Sequence, residues 1–174
     1  MAEDLAFDRL WHSNEKFGWD MIASMTLTAV HTDRIGIGAA LVDPYSVHPC
    51  ISAAAVSTVD EISGGRVVMG IGAGGAGVPV MGVARSKPAG AIREAVEVMR
   101  GMWRGETVTV EGEVVHCKGG RLHYESRPDI PIVIATRGRA VLRLAGETGD
   151  GAMLATLARA QDVERAVGLV AEGA

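Results

Sequence analysis

The stretch Arg66–Gly77, RVVMGIGAGGAG, restricts what this chain can become more than any other. Val67, Val68, Met69 and Ile71 form the short apolar run of a strand buried on both faces, and Gly72, Gly74, Gly75 and Gly77 follow it without side chains. Such a strand belongs to a parallel α/β sheet, and its glycine-rich exit means that something approaches the backbone closely. Gly70 to Gly75 also satisfies GxGxxG, the dinucleotide-binding pattern. That pattern holds a pyrophosphate only where the third glycine opens a helix and an acidic residue ends a second strand roughly 20 positions on. Here the next helix begins at Ser86-Lys87-Pro88 and Glu94 falls inside it, so the glycines lie in a long loop. A flexible βα turn is the simpler reading, yet the glycines exceed what a turn requires.

The 174 residues, 48% of them hydrophobic, suffice for one buried domain, and 17 basic against 21 acidic residues leave a net charge of −4. With aromatics at 4% and no basic patch, a nucleic-acid partner is not expected. No apolar run approaches the ~20 residues of a membrane span, and MAEDLAFDRLW lacks the basic and apolar regions of a signal peptide, so a cytoplasmic protein is expected. Cys50 and Cys117 read as isolated core thiols. His12, His31, His48, His116 and His123 form no HxxxH or HExxH pair, and no metal site is expected.

Along the chain, residues 5–11 read as the end of a helix running into a strand, and the polar cluster Ser13-Asn14-Glu15-Lys16 stands at that strand's C-terminal end. Parallel sheets place their chemistry at such ends. A helix follows over Trp19–His31, then a buried strand over Arg34–Val42, a turn at Asp43-Pro44-Tyr45, and a small-residue helix over Cys50–Ile62 closed by Gly64-Gly65. Beyond the glycine loop, Ser86 reads as the N-cap of a helix running to Trp103 with Pro88 in its first turn. Residues 107–110 and 113–116 alternate around the pair Glu111-Gly112 and predict a β-hairpin with a two-residue turn. Ile130–Ala135 is a fourth buried strand, and Thr136-Arg137-Gly138-Arg139 opens the next helix, where backbone amides and two guanidinium groups predict an anion site. Gly151–Leu154 is a fifth strand and Gln161–Ala171 a last helix.

Strands near residues 9, 37, 69, 133 and 153 alternate with helices, which predicts an α/β fold with a parallel sheet. The segment from His48 to Gly75 carries HPxxxAxxxxTxDExSGGRxxxGxGxGG. Together with KPAGAIREAVEVMRGMWRGETVTVEGE and PDIPIVIATRGRAVLRLAGETGDGAML, it resembles the luciferase-like flavin- and deazaflavin-dependent oxidoreductases. Within them it is most similar to the methylenetetrahydromethanopterin reductase-like branch, which uses coenzyme F420. The resemblance implies a (β/α)8 TIM barrel, of which about five strands with their helices and the hairpin insertion are expected in residues 1–174 as one domain. The first strand and the last two βα units are expected to be lacking, since a complete barrel typically needs ~250 residues.

The resemblance also implies a site. A non-proline cis peptide backing a flavin-like ring falls at Ala40-Leu41, give or take one residue, so that Ala39, Ala40 and Leu41 are cofactor-binding candidates. Ala73, Gly74 and Gly75 match the loop bordering ring and substrate, and Ala135, Thr136, Arg137 and Gly138 match the segment that receives the cofactor's phosphate-bearing tail. Asn14 and Glu15 match the catalytic polar pair, often Asp-His in relatives. Asn14 retains hydrogen-bonding capacity, and Glu15 becomes a proton donor or acceptor if burial raises its pKa; an exposed Glu15 paired with Lys16 is the alternative. The implied activity is F420-dependent hydride transfer to or from a small organic substrate, with FMN-dependent monooxygenation as the alternative. A third reading, an inactive fragment or flavin-type cofactor-binding module, follows from the missing strands. Open sheet edges favour association, and a homo-oligomer is expected.

Overall fold

The computed structural model describes residues 2–154 and 158–174. Its centre is a five-stranded parallel sheet in the order β1 (Arg9–Ser13), β2 (Gly36–Ala40), β3 (Val67–Gly72), β6 (Ile132–Ala135) and β7 (Gly151–Met153). Helices α1 (Met21–His31), α2 (Pro49–Ser63), α4 (Pro88–Trp103) and α5 (Arg139–Thr148) link these strands, and α6 (Ala160–Ala171) packs on α5. The α/β class and the partial parallel barrel with a hairpin excursion, expected above, are what the chain forms.

Strand alternation sorts the side chains. Ile37, Ala39, Met69, Ile71, Ile132 and Ile134 are buried in the core that also takes residues of α1, α2 and α4. On the opposite face β2 and the end of β3 carry only Gly36, Gly38, Ala40, Gly70 and Gly72, and Trp11 lies flat on its register partner Gly38: a Cβ there would stand 2.2 Å from the indole. Trp103, almost fully buried, anchors α4 to α2 by donating its Nε1–H to the Ala53 carbonyl at 3.0 Å.

Arg66, just ahead of β3, brackets the other end of the sheet. Its guanidinium donates to the carbonyls of Ala29, Thr32, Ile35 and Ser63 and to the Thr32 hydroxyl, at 2.7–2.9 Å. The last turn of α1, the start of β2 and the end of α2 thus share one side chain. Gly64 ends α2 in the left-handed region, φ 71°, as its glycine pair predicts.

Two local expectations are corrected. The hairpin pairs β4 (Val108–Glu111) with β5 (His116–Gly120), so its connection spans residues 112–115 and is wider than the two-residue turn at Glu111-Gly112. The cause is Glu94 of α4, whose carboxylate accepts the amides of Glu113, Val114 and Val115 at 2.9, 3.1 and 2.8 Å. A ladder would take alternate ones of these amides; here all three face a helix. Ser86 does not cap α4: the residue at the N-cap is Lys87, at φ 46°, with no side-chain cap. The Ser86 carbonyl instead accepts the Tyr45 hydroxyl at 2.7 Å.

Candidate functional site

The C-terminal ends of β1, β2, β3 and β6 open on one cleft of about 430 Å³. From the β1 exit come Ser13, Asn14, Glu15 and Lys16; from the β2 exit, Ala40, Leu41 and Asp43; from the glycine loop, Ala73, Gly74, Gly75 and Gly77; and from the β6 exit, Ala135, Thr136 and Arg137. The structure therefore brings together ten of the sequence-predicted residues: Asn14, Glu15, Ala40, Leu41, Ala73, Gly74, Gly75, Ala135, Thr136 and Arg137. Ala39 does not reach the cleft, because alternation turns it into the core, where it is fully buried. Gly138 stands behind the wall, its amide donating to the Thr136 hydroxyl at 2.9 Å. Of the two arginines expected at the anion site, Arg137 lines the cleft, while Arg139 begins α5 and does not.

The back of the cleft is a bulge at the end of β2. The Ala40-Leu41 peptide bond is cis. The Asn14 amide N–H donates to the Ala40 carbonyl at 3.0 Å and its side chain to the Leu41 carbonyl at 2.9 Å. The glycines of β3 make room for this bulge: a Cβ on Gly70 would stand 2.1 Å from the Ala39 carbonyl oxygen, and one on Gly72 3.1 Å from Leu41 Cδ1. What approaches the glycine strand is thus first its neighbouring strand. Gly75 differs, since nothing lies within 4 Å of where its Cβ would be, and its backbone borders open cleft. The loop is not irregular throughout, for Gly77–Val80 forms a short helix, α3.

Charge in the cleft is arranged differently from the sequence reading. Glu15 is exposed and accepts from the Ser13 hydroxyl at 3.2 Å. Lys16 pairs with Asp43, Nζ to Oδ2 2.7 Å, and not with Glu15. Asp43 also accepts the amides of Tyr45 and Ser46, at 3.1 and 2.8 Å, and the Ser46 hydroxyl at 2.7 Å. Burial pushes the Asp43 carboxyl up, but the Lys16 ammonium and the Ser46 hydroxyl and amide outweigh it and hold it below the usual carboxylate range. The sequence places Lys16 in a polar cluster at a strand end, Gly77 in the glycine run and Asp43 in a turn, but their meeting is not legible in it. A DPYS turn signal alone says nothing of a lysine 27 positions earlier.

The cysteines are not isolated: Cys50 Sγ and Cys117 Sγ lie 3.4 Å apart, 67 residues apart in sequence. Burial, reinforced by the Cys117 thiol, pushes Cys50 up to about 12. Among the described residues no group of His, Cys, Asp or Glu has the arrangement of a metal site, and no helix is long and apolar enough to cross a membrane.

Comparison with known proteins places this geometry. The chain is 36% identical over 155 residues to the 5,10-methylenetetrahydromethanopterin reductase of Archaeoglobus fulgidus, covering 88% of this chain and 46% of that protein. It superposes on the F420-dependent tetrahydromethanopterin reductase of Methanopyrus kandleri with a TM-score of 0.91 at 31% identity, covering 99% of this chain and 54% of that one. An F420-dependent secondary alcohol dehydrogenase, solved with an F420–acetone adduct, matches with a TM-score of 0.79 at 26% identity, over 98% of this chain and 58% of the other. The chain thus spans about half the length of the relatives it matches. The luciferase-like monooxygenase family model matches residues 1–174, and the chain that folds into this parallel sheet belongs to that family.

Proposed function

We propose that the chain supplies the cofactor-binding face of an F420-dependent oxidoreductase that transfers hydride between the deazaflavin and a small organic substrate. The observation that carries this reading is the convergence of the Asn14-held Ala40–Leu41 bulge, the open Gly75 rim and the Thr136–Arg137 corner on one cleft. F420 is the cofactor named for the relatives at 26–31% identity, and FMN is the alternative cofactor.

The residues present fit such a group. The bulge offers a wall of small and aliphatic side chains to a flat ring, and Arg137 with the Thr136 hydroxyl offers a cation and a donor to an anionic tail. When bound, the deazaflavin would supply the carbon that gives or accepts hydride. This chain's residues would hold the ring against Ala40–Leu41 and border the substrate with Ala73–Gly75, while Glu15, exposed at the cleft mouth, lacks the burial on which its proton-transfer role depends. Asn14 acts through the bulge, since its side-chain donor is already committed to Leu41. A cytoplasmic setting and association of copies along the open sheet edges belong to the same proposal.

The test is a fluorescence titration of the purified chain, at determined solution mass, with F420 and separately with FMN. Saturable binding of F420 at about micromolar concentration or below supports the reading. Binding of FMN alone moves the chain to the monooxygenase alternative, and binding of neither favours the inactive-fragment reading.

A further inference from the structure

One buried ion pair in the cleft is not used by the chemistry above. Lys16 Nζ meets Asp43 Oδ2 at 2.7 Å, and the two side chains are 10% and 0% exposed. The glycine rim folds around this pair. A Cβ on Gly77 would stand 2.8 Å from Lys16 Cγ, and one on Gly74 would stand 3.2 Å from Asp43 Cγ. Arg85 then donates to the Gly74 carbonyl at 2.9 Å. The exits of β1, β2 and β3 therefore meet at a single charge pair.

Building on the deazaflavin reading, we propose that Lys16 and Asp43 are positioning residues that hold the Ala73–Gly77 rim at its height over the cleft and so set the affinity for the cofactor. Lys16 is not an anion-binding cation in this arrangement. Its charge is neutralised at contact distance by a carboxylate that is itself tied to the Asp43–Ser46 turn. Among the described residues Arg137 is the other basic side chain lining the cleft, and it is left to face an anionic tail. The close fit of Gly77 on the lysine stem explains why the rim follows the pair: there is no side chain at Gly77 to take up slack if Lys16 moves.

Lys16→Met keeps most of the stem and removes the charge. Hydrogen exchange followed residue by residue, with F420 titration alongside, reads the consequence. The expected result is exchange about tenfold faster at amides 73–81, exchange in β3 and α4 unchanged, and F420 binding about tenfold weaker. Lys16→Met/Asp43→Asn should loosen the rim equally while recovering thermal stability, because no unpaired charge stays buried. A rim exchanging as in the unsubstituted chain overturns the proposal, as does a loosened rim with unchanged F420 affinity. If Lys16→Met does not fold, Asp43→Asn is read the same way. If the unsubstituted chain binds neither F420 nor FMN, the functional reading falls by itself, while the exchange of amides 73–81 still decides whether the pair holds the rim.

Discussion

Asn14 grips the end of the neighbouring strand twice, its backbone N–H on the Ala40 carbonyl at 3.0 Å and its side-chain amide on the Leu41 carbonyl at 2.9 Å. Asn14→Ala keeps the first bond and loses the second. The expected cost is about 1 kcal/mol in stability, with a larger effect on cofactor affinity because the bulge forms the cleft wall. Urea unfolding beside an F420 titration checks both; an affinity loss no greater than the stability loss would remove the bulge from the site.

The glycines of the third strand and its loop should respond oppositely to alanine. Gly70→Ala places a methyl 2.1 Å from the Ala39 carbonyl oxygen, so strand and bulge must part, at about 1–3 kcal/mol or more. Gly75→Ala meets nothing within 4 Å and should leave the melting temperature in place while weakening cofactor binding. Thermal melts and titrations of the two variants separate packing glycine from cleft glycine.

Asp60 is buried and receives Arg127 in a two-point pair, Nε to Oδ2 2.9 Å and Nη2 to Oδ1 2.8 Å, while Oδ1 also accepts the Val67 amide at 3.1 Å. Asp60→Ala leaves the Val67 amide without its acceptor and the Arg127 guanidinium with only the Val67 carbonyl, at 3.0 Å. A loss of about 3 kcal/mol is expected, the low end for breaking a buried pair, since the Arg127 side chain keeps 30% of its exposure. Equilibrium unfolding measures it.

Acid should find Asp43. A carboxyl held below the ordinary value of 3.8 in the folded chain contributes stability in full above that value and loses it as pH falls through the lower folded value. Asp43→Asn should therefore be less stable than the unsubstituted chain near pH 7, with the gap narrowing below about pH 4. Unfolding curves across that range show whether the two converge.

The Cys50 thiol should be a slow nucleophile. With Cys50 pushed up to about 12, almost no thiolate exists near neutral pH. Alkylation of the native chain at about pH 8 is expected to run at least tenfold slower than in denaturant, read by mass spectrometry.

The strands, most helices and the residues at their joints were legible because continuous apolar runs, glycine stops and the His48–Gly75 motif are all local signals. Ten of the site residues that the family resemblance implies line one cleft, because they sit at strand exits. What escaped was set by partners distant in sequence. The hairpin widened because Glu94, on another element, collects the amides of residues 113–115. Lys16 turned from its neighbour Glu15 to Asp43, a choice made by burial and not by proximity along the chain. Ala39, one pleat from Ala40, faces the core and not the cleft. The paired thiols Cys50 and Cys117 became visible only once α2 and β5 were placed side by side.

Arg66, with every guanidinium proton committed, ties the end of α1, the approach to β2 and the end of α2 to one group. The end of α1 cannot fray alone without leaving donors to its Ala29 and Thr32 carbonyls idle, and α2 and β2 are fastened to the same group. Loosening any one of these elements therefore costs the others a shared donor group, while Arg66 reaches none of the loops that line the cleft at the far end of the strands.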